Sequence, residues 1–365
     1  MEDWIVSAIR MWFDKRRSQS NSAGNKCVFF GLIMKISELK NQTILITGAA
    51  GSIGRELVLG LAHYQPQQLI LVDISELGMH SLLQEMAIHF PKVKLTYYLE
   101  SICDATFIAA LFERHLIDLV FHAAAYKHVS LMEANVCAAV KTNIKGAKLL
   151  IDTSCKHNIA RFLFISTDKA VEPISVMGKT KRVVEEYLLF KQTETTTTQL
   201  SILRLCNVYD SSGSVVPVFK ARIQQQLPLE IKGKEVRRAF IQKALILELV
   251  LKLLKFEDSA GLYIPGQTNL LTVERIAEKL LKEYADTSIE NYPITYLTLP
   301  EYEKQEELLY SSREQIDASS EDVLAKVYSP KPKLNLERLK HCILAAEAFD
   351  GKKAQQFLDE LTAYV

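Results

Sequence analysis

From residue 43 onwards, short apolar runs alternate with helical patterns. The runs fall at 43–47, 69–73, 94–99, 118–122, 161–166 and 200–205. Between them, segments near 52–63, 76–88, 105–115, 130–157 and 178–191 place apolar residues at helical spacing. Strands that alternate with helices predict an α/β fold, a Rossmann-type doubly wound parallel sheet covered on both faces. After about residue 206 the rhythm loosens. Helices are predicted near 216–226, 240–255 and 273–285, with short strands near 262–265 and 294–298. This half reads as a smaller C-terminal α/β lobe closing over the carboxyl edge of the sheet. Residues 311–333 are polar, carry Pro330 and Pro332, and read as a surface excursion before a last helical stretch from about 334. The predicted organisation is an amphipathic segment and linker at 1–40, a dinucleotide-binding domain at 41–205, a lobe at 206–310, and the excursion with C-terminal helices at 311–365.

The first segment stands apart. Trp4, Ile5, Val6, Ile9, Trp12 and Phe13 sit among Arg10, Lys15, Arg16 and Arg17, and a polar linker follows at 18–26. A helix lying in a membrane surface has this composition. So does a helix docked on its own domain or on a second copy in a homo-oligomer, and both readings stay open. No run approaches the roughly 18–20 apolar residues that cross a bilayer. With 44 basic and 43 acidic residues the net charge is +1, which gives no electrostatic basis for binding nucleic acid. Six widely spaced cysteines, with no C-x-x-C pair, suit reduced thiols rather than disulfides or a zinc site. The expected location is the cytoplasm, with the inner-membrane surface as the place the first segment would touch. No metal is expected.

A glycine-rich turn joins the first strand to the first helix: Thr47-Gly48-Ala49-Ala50-Gly51-Ser52-Ile53-Gly54. Gly48 suits the turn, Gly51 lets backbone approach a pyrophosphate, and Gly54 lets helix and strand pack closely. Ser52 and Ile53 open the helix, whose N–H groups would face the phosphates. Asp73 ends the second strand 19 positions after Gly54. A carboxylate there can accept both ribose hydroxyls of NAD and would repel a 2′-phosphate. A solvated turn that caps the next helix is the plainer alternative. Asp104, after the third strand, could reach an adenine edge or cap its own helix. Ala123 and Ala124, after the fourth strand, would border the same cofactor.

Chemistry is expected at the fifth strand end, Ser166-Thr167-Asp168-Lys169. Carboxyl ends of strands border the ligand crevice in such sheets. A surface salt bridge is the plain reading of Asp168 and Lys169. Lys181, on the first turn of the next helix, shifts the weighting, because its amine can reach a nicotinamide ribose. Crowded cations would favour a neutral Lys169 acting as a general base. Asp168 would be a donor only if its carboxyl were held protonated. Met177 stands four residues before Lys181, where short-chain dehydrogenases carry their catalytic tyrosine. A thioether carries no protons, so Met177 can only pack.

Four segments carry a resemblance: TGAAGSIGRELV at 47–58, FHAAAYKHVSLMEANVCAAVKTNIKG at 121–146, STDKAVEPISVMGKTKRVVEEY at 166–187 and RLCNVYDSSGSVVPVF at 204–219. They resemble the CapD-like polysaccharide-biosynthesis branch of the extended short-chain dehydrogenases, the UDP-N-acetylglucosamine 4,6-dehydratases. The resemblance implies Asp168 and Lys169 as acid and base of an elimination on a UDP-sugar, with bound NAD. It implies that Lys127 and His128 line the site. Asn207 and the Ser211–Val215 loop, with Ser212 and Val215, would hold the nucleotide sugar. Met177 resembles the long, membrane-tethered members, whose catalytic portion is the part matched. Cys206 and Asp210 stand where glycines are usual, and Leu299 stands where the family carries an arginine that helps hold the nucleotide. Arg238 is then the expected diphosphate grip, the alternative being a solvated arginine paired with Glu235 or Glu230. Two other functions stay open: an NAD-dependent nucleotide-sugar 4-epimerase, and an inactive NAD-binding partner protein.

Overall fold

The computed structural model describes residues 39–195, 197–317 and 323–363. The N-terminal amphipathic segment lies outside them. Six strands form the predicted parallel sheet: β1 (Thr43–Thr47), β2 (Gln68–Val72), β3 (Leu95–Tyr98), β4 (Leu119–His122), β5 (Arg161–Thr167) and β6 (Gln199–Leu205). Their spatial order is β3-β2-β1-β4-β5-β6, and each neighbouring pair runs parallel. β1 and β2 are buried along their whole length, as strands covered on both faces must be.

Alternate side chains feed two separate cores. Leu45, Ile70, Val120, Phe162 and Phe164 enter one. Ile44, Ile46, Leu69, Leu71 and Phe121 enter the other. The helices that cover these faces are α1 (Ser52–Ala62), α2 (Glu76–His89), α3 (Ala105–Arg114), α4 (Val129–Glu133), α5 (Val136–Ala139), α6 (Ala147–Lys156) and α7 (Val176–Glu194). A π-helical turn, Val140–Gly146, links α5 to α6. The single helix expected over 130–157 is therefore interrupted, and π turns recur near functional sites.

The second half holds β7 (Asn207–Val208), α8 (Val215–Gln224), β8 (Leu229–Lys232), β9 (Arg237–Ile241), α9 (Lys243–Leu254), β10 (Gly261–Pro265), β11 (Asn269–Thr272), α10 (Val273–Ala285), β12 (Ile294–Leu297), β13 (Gln315–Ile316), β14 (Leu324–Tyr328), α11 (Leu336–Glu347) and α12 (Gly351–Thr362). Strands β7, β9 and β11 form one small sheet, and β8 pairs with β12. With α8 and α10 they enclose a third core of Val216, Phe219, Leu229, Ile231, Phe240 and Leu280.

The helix expected near 240–255 is α9, and Arg237–Ile241 just before it pairs as a strand with β7 and β11. One expectation is corrected: the described part of 311–333 is not a surface excursion. β10 joins the main sheet parallel to β6, β14 pairs antiparallel with β10, and β13 with β14. Leu324, Ala325 and Val327 are buried there. The chain thus returns to the first sheet after building the small lobe.

Candidate active site

The strand order reverses direction between β1 and β4, which opens a crevice at their carboxyl ends. The glycine turn lies on one side of it. Gly48 has φ +68°, and a Cβ there would sit 2.6 Å from the Ala124 nitrogen. Ala123 and Ala124 therefore wall the turn. At Gly54 a Cβ would meet the Gly48 carbonyl oxygen at 2.0 Å. Gly51 caps α1 with no side-chain hydrogen bond, so the helix start presents backbone N–H groups to an anion. Asp73 accepts hydrogen bonds from the Ala50 and Ser75 backbone N–H groups, both at 2.9 Å. Its carboxylate braces the turn from the side on which a ribose would lie. This cradle fits a dinucleotide. Asp104 accepts from the Phe107 N–H at 2.9 Å and is the N-cap of α3, the plainer of its two readings.

On the other side lies the end of β5. Asp168 is 1% exposed. Its Oδ1 accepts from Thr167 Oγ1 and from Lys169 Nζ, each at 2.9 Å, while its Oδ2 makes no hydrogen bond. Gly178 holds this turn in place. A Cβ at Gly178 would lie 2.3 Å from the Lys169 carbonyl oxygen, so α7 begins in direct contact with the turn after β5.

A carboxylate not anticipated from the sequence completes the group. Glu307 is buried, with Oε1 4.0 Å from Lys169 Nζ. Burial lowers the Lys169 pKa, but the charges of Asp168 and Glu307 outweigh it, and the net shift is upward. The expectation of a neutral Lys169 produced by crowded cations is thus corrected, since two carboxylates surround it. Lys181 is the weakly basic lysine. Burial brings its pKa down to about 7, with Glu185 opposing. Its amine donates to the Ile165 carbonyl at 2.9 Å and lies 4.4 Å from the centre of the Phe164 ring.

Met177 is 3% exposed and packs into the core beneath α7. Two further residues passed unnoticed in the sequence. Asn143, in the π turn, donates to Thr180 Oγ1 and to the Tyr126 carbonyl, both at 3.0 Å, and locks the loop after β4 to α7. His122 bonds Thr47 Oγ1 at 2.7 Å through Nδ1. Burial, and then Lys181, push its pKa down to about 3, so it stays neutral.

The residues expected to hold a substrate cluster above the glycine turn. Lys127 Nζ donates to the Ser212 carbonyl at 2.6 Å, and the Ser212 N–H donates to Ser52 Oγ at 3.0 Å. The loop before α8 therefore sits directly on the start of α1. His128 packs under Gly213, where a Cβ would come within 2.5 Å of its ring. Asp210 adopts φ +58°, the left-handed conformation that glycine takes freely at this family position. Val215 opens α8 against the small-lobe core. Asn207 donates to the Ala239 carbonyl at 3.2 Å and ties β7 to β9.

Arg238 is not placed as a phosphate grip. Its guanidinium donates to the carbonyls of Arg237, Gln305 and Lys304 at 2.9, 3.0 and 2.7 Å. Nor is it a solvated arginine: it is buried, and Glu230 pairs with Arg222 instead. Its role here is to fix the backbone that leads to Glu307. Leu299 lies against the β8–β9 turn, 3.4 Å from where a Gly233 Cβ would sit. Among the described residues no cluster suits a metal ion, and no helix is long and apolar enough to cross a membrane.

Residues 44–328 match the family model for polysaccharide biosynthesis proteins. The chain belongs to this CapD-like family. It is 30% identical over 283 residues to the capsular polysaccharide biosynthesis protein CapD of Staphylococcus aureus, which covers 77% of this chain and 47% of CapD. The chain thus spans about half the length of that relative. A UDP-N-acetylglucosamine 4,6-dehydratase (inverting) of Campylobacter jejuni is 33% identical over 194 residues, 52% of this chain and 56% of that protein. A UDP-glucose 4-epimerase of Rickettsia canadensis is 27% identical over 330 residues, 89% of this chain and 91% of the epimerase. Among solved structures, Pen from Bacillus thuringiensis superposes with a TM-score of 0.71 at 23% identity, covering 80% of this chain and 88% of Pen. That likeness concerns the Rossmann-type fold.

Proposed function

We propose that this CapD-like protein is an NAD-dependent nucleotide-sugar 4,6-dehydratase acting on a UDP-amino sugar, with UDP-N-acetylglucosamine as the first candidate. The observation that supports it best is the buried group of Asp168, Lys169 and Glu307 at the end of β5. Removing a proton from C5 while a hydroxyl leaves C6 needs a base and an acid side by side, and this group contains both. NAD in the glycine cradle would supply the hydride acceptor and donor, so the net redox change is nil. Asp73 faces the ribose side of the cradle and favours NAD over a phosphorylated cofactor.

A second reading is a 4-epimerase, favoured by the relative matched over nearly its whole length. An epimerase needs no base at C5. Incubation of purified protein with NAD and UDP-N-acetylglucosamine separates the two by mass. Dehydration gives a 4-keto-6-deoxy product lighter by one water, and epimerisation gives an isomer of unchanged mass. Neither product, with NAD and UDP both bound, would leave the reading as an inactive binding partner.

Met177 packs into the core at the start of α7 and carries no protons. Met177→Leu conserves volume, should cost less than about 1.5 kcal/mol of stability, and should keep most activity. The pH–rate profile should be unchanged, because neither side chain titrates. A limb of that profile lost in Met177→Leu would show that Met177 had been misplaced.

A further inference from the structure

The end of β5 and the loop after β12 bring three ionisable groups together, and only one of their contacts is a tight hydrogen bond. Asp168 and Lys169 are joined at 2.9 Å. Glu307 stands off. Its Oε1 lies 4.0 Å from Lys169 Nζ and its Oε2 lies 3.8 Å from Lys304 Nζ, and Oε2 makes no hydrogen bond although Glu307 is only 8% exposed. A buried carboxylate oxygen without a partner is costly unless it serves a purpose. Lys304 itself is held by the Val171 carbonyl at 2.5 Å. Arg238 is occupied by the backbone of this same loop. A fifth of the Lys169 side chain is exposed, so the group opens to the crevice through the lysine.

Resting on the dehydratase reading, we propose that Glu307 is the proton donor to the departing C6 hydroxyl and the proton-exchange partner of Lys169. One proton moved from Lys169 to Glu307 produces both reagents at once: a neutral amine able to accept a proton and a carboxylic acid able to give one. The C5–H bond then breaks towards the Lys169 amine, and its electron pair forms the C5=C6 double bond. The C6–O bond breaks with its pair on oxygen, which takes the Glu307 proton and leaves as water. Hydride delivered to C6 and the lysine proton delivered to C5 complete the product. The C4 hydroxyl proton, released earlier in the oxidation, passes to the free Oδ2 of Asp168 and afterwards restores the one Glu307 gave up. Asp168 stays bound to Lys169 and Thr167, and so directs the lysine. Burial pushes the Glu307 pKa up, with Lys169, Lys304 and Arg238 opposing and Asp168 assisting, which favours its acid form. The upward shift of Lys169 opposes the transfer, so the amine is freed only in step with the chemistry.

The test uses Glu307→Gln, which keeps the shape of the side chain and removes the proton. In the ligand-free full chain, the pH dependence of Lys169 reductive methylation, read by peptide mass spectrometry, gives the titration of the amine. The variant should titrate at least one pH unit lower, because Lys169 has lost a carboxylate. With NAD and UDP-N-acetylglucosamine, kcat should fall tenfold or more with KM within about twofold. Recovered substrate should take up solvent deuterium at C5 faster than water is lost. An unmoved Lys169 titration, or a kcat within twofold of wild type, overturns the proposal. If wild type forms no dehydrated product, it is the dehydratase reading that falls. The methylation experiment, which needs no substrate, then decides alone whether Glu307 sets the titration of Lys169.

Discussion

On the dehydratase reading, Lys169→Arg should fold as well as wild type and lose roughly 10²–10⁴-fold in dehydration rate. The substitution keeps a cation between Asp168 and Glu307, which lie 2.9 and 4.0 Å from the lysine nitrogen. It removes only basicity, because a guanidinium does not deprotonate in a protein. Lys169→Ala is the harsher variant. It would leave two buried carboxylates side by side, so its inactivity could reflect lost structure. The pair of variants separates charge from proton transfer. The measurements are turnover, solvent deuterium at C5 of the product, and the thermal transition. Lys169→Arg turning over near the wild-type rate would place the C5 base elsewhere, with Lys181 the next candidate because its pKa is already down at about 7. NAD binding should be the same in all three proteins, since the glycine cradle is built from β1, α1 and the loop after β4.

The parts of this molecule that were legible in the sequence are those governed by local rules. Strands buried on both faces are runs of Ile, Leu and Val, and β1, β2, β5 and β6 fall close to the predicted positions. The glycine turn and the end of β5 were legible because close packing and crevice position depend on residue type at fixed spacing. Long-range pairing was not legible. β14 reads as an ordinary polar-flanked segment, and only its partner β10 makes it a strand of the main sheet. The charge state of Lys169 is not legible for the same reason. Asp168 is its neighbour in sequence, whereas Glu307 arrives from the loop after β12. Arg238 reads as a phosphate ligand because Leu299 stands where the family carries its arginine and Arg238 is the next arginine the resemblance offers. Backbone carbonyls of a distant segment hold it instead. The one signal left unused was Arg204, a charge inside the apolar run 200–205.

Arg204 carries the second large expectation: Arg204→Leu should destabilise the protein by about 3–5 kcal/mol near neutral pH. The residue is fully buried. It donates to both oxygens of Glu185, at 3.1 and 2.7 Å, and to both oxygens of Glu314, at 3.0 and 3.1 Å. It also donates to the Leu309 carbonyl at 2.8 Å. Ser166, two residues before Asp168, joins the network through Glu185 at 2.5 Å. The network therefore ties β5, β6 and α7 to the 309–314 segment, which follows directly on Glu307. Removing the arginine leaves two buried carboxylates with Arg182 as their remaining cation, and the loss should reach Asp168, Lys169 and Glu307 through this segment. The pH dependence distinguishes the effect from a simple packing defect. Burial pushes the Glu314 pKa up, but hydrogen bonds and charge from Arg204 outweigh it and hold the carboxyl at about 2, below its ordinary 4.5. A carboxyl depressed in the folded state stabilises above its unfolded pKa, and that stability is lost as pH falls from about 4.5 towards 2. In Arg204→Leu only the Ser311 N–H and Arg182 still hold the Glu314 pKa down, so it should rise and acid neutralises the carboxyl more readily. The stability gap between wild type and variant should therefore narrow as pH is lowered from 7 towards 4. Urea unfolding across that range measures it, and a gap that stays constant or widens would show that Arg204 acts by packing and not by charge.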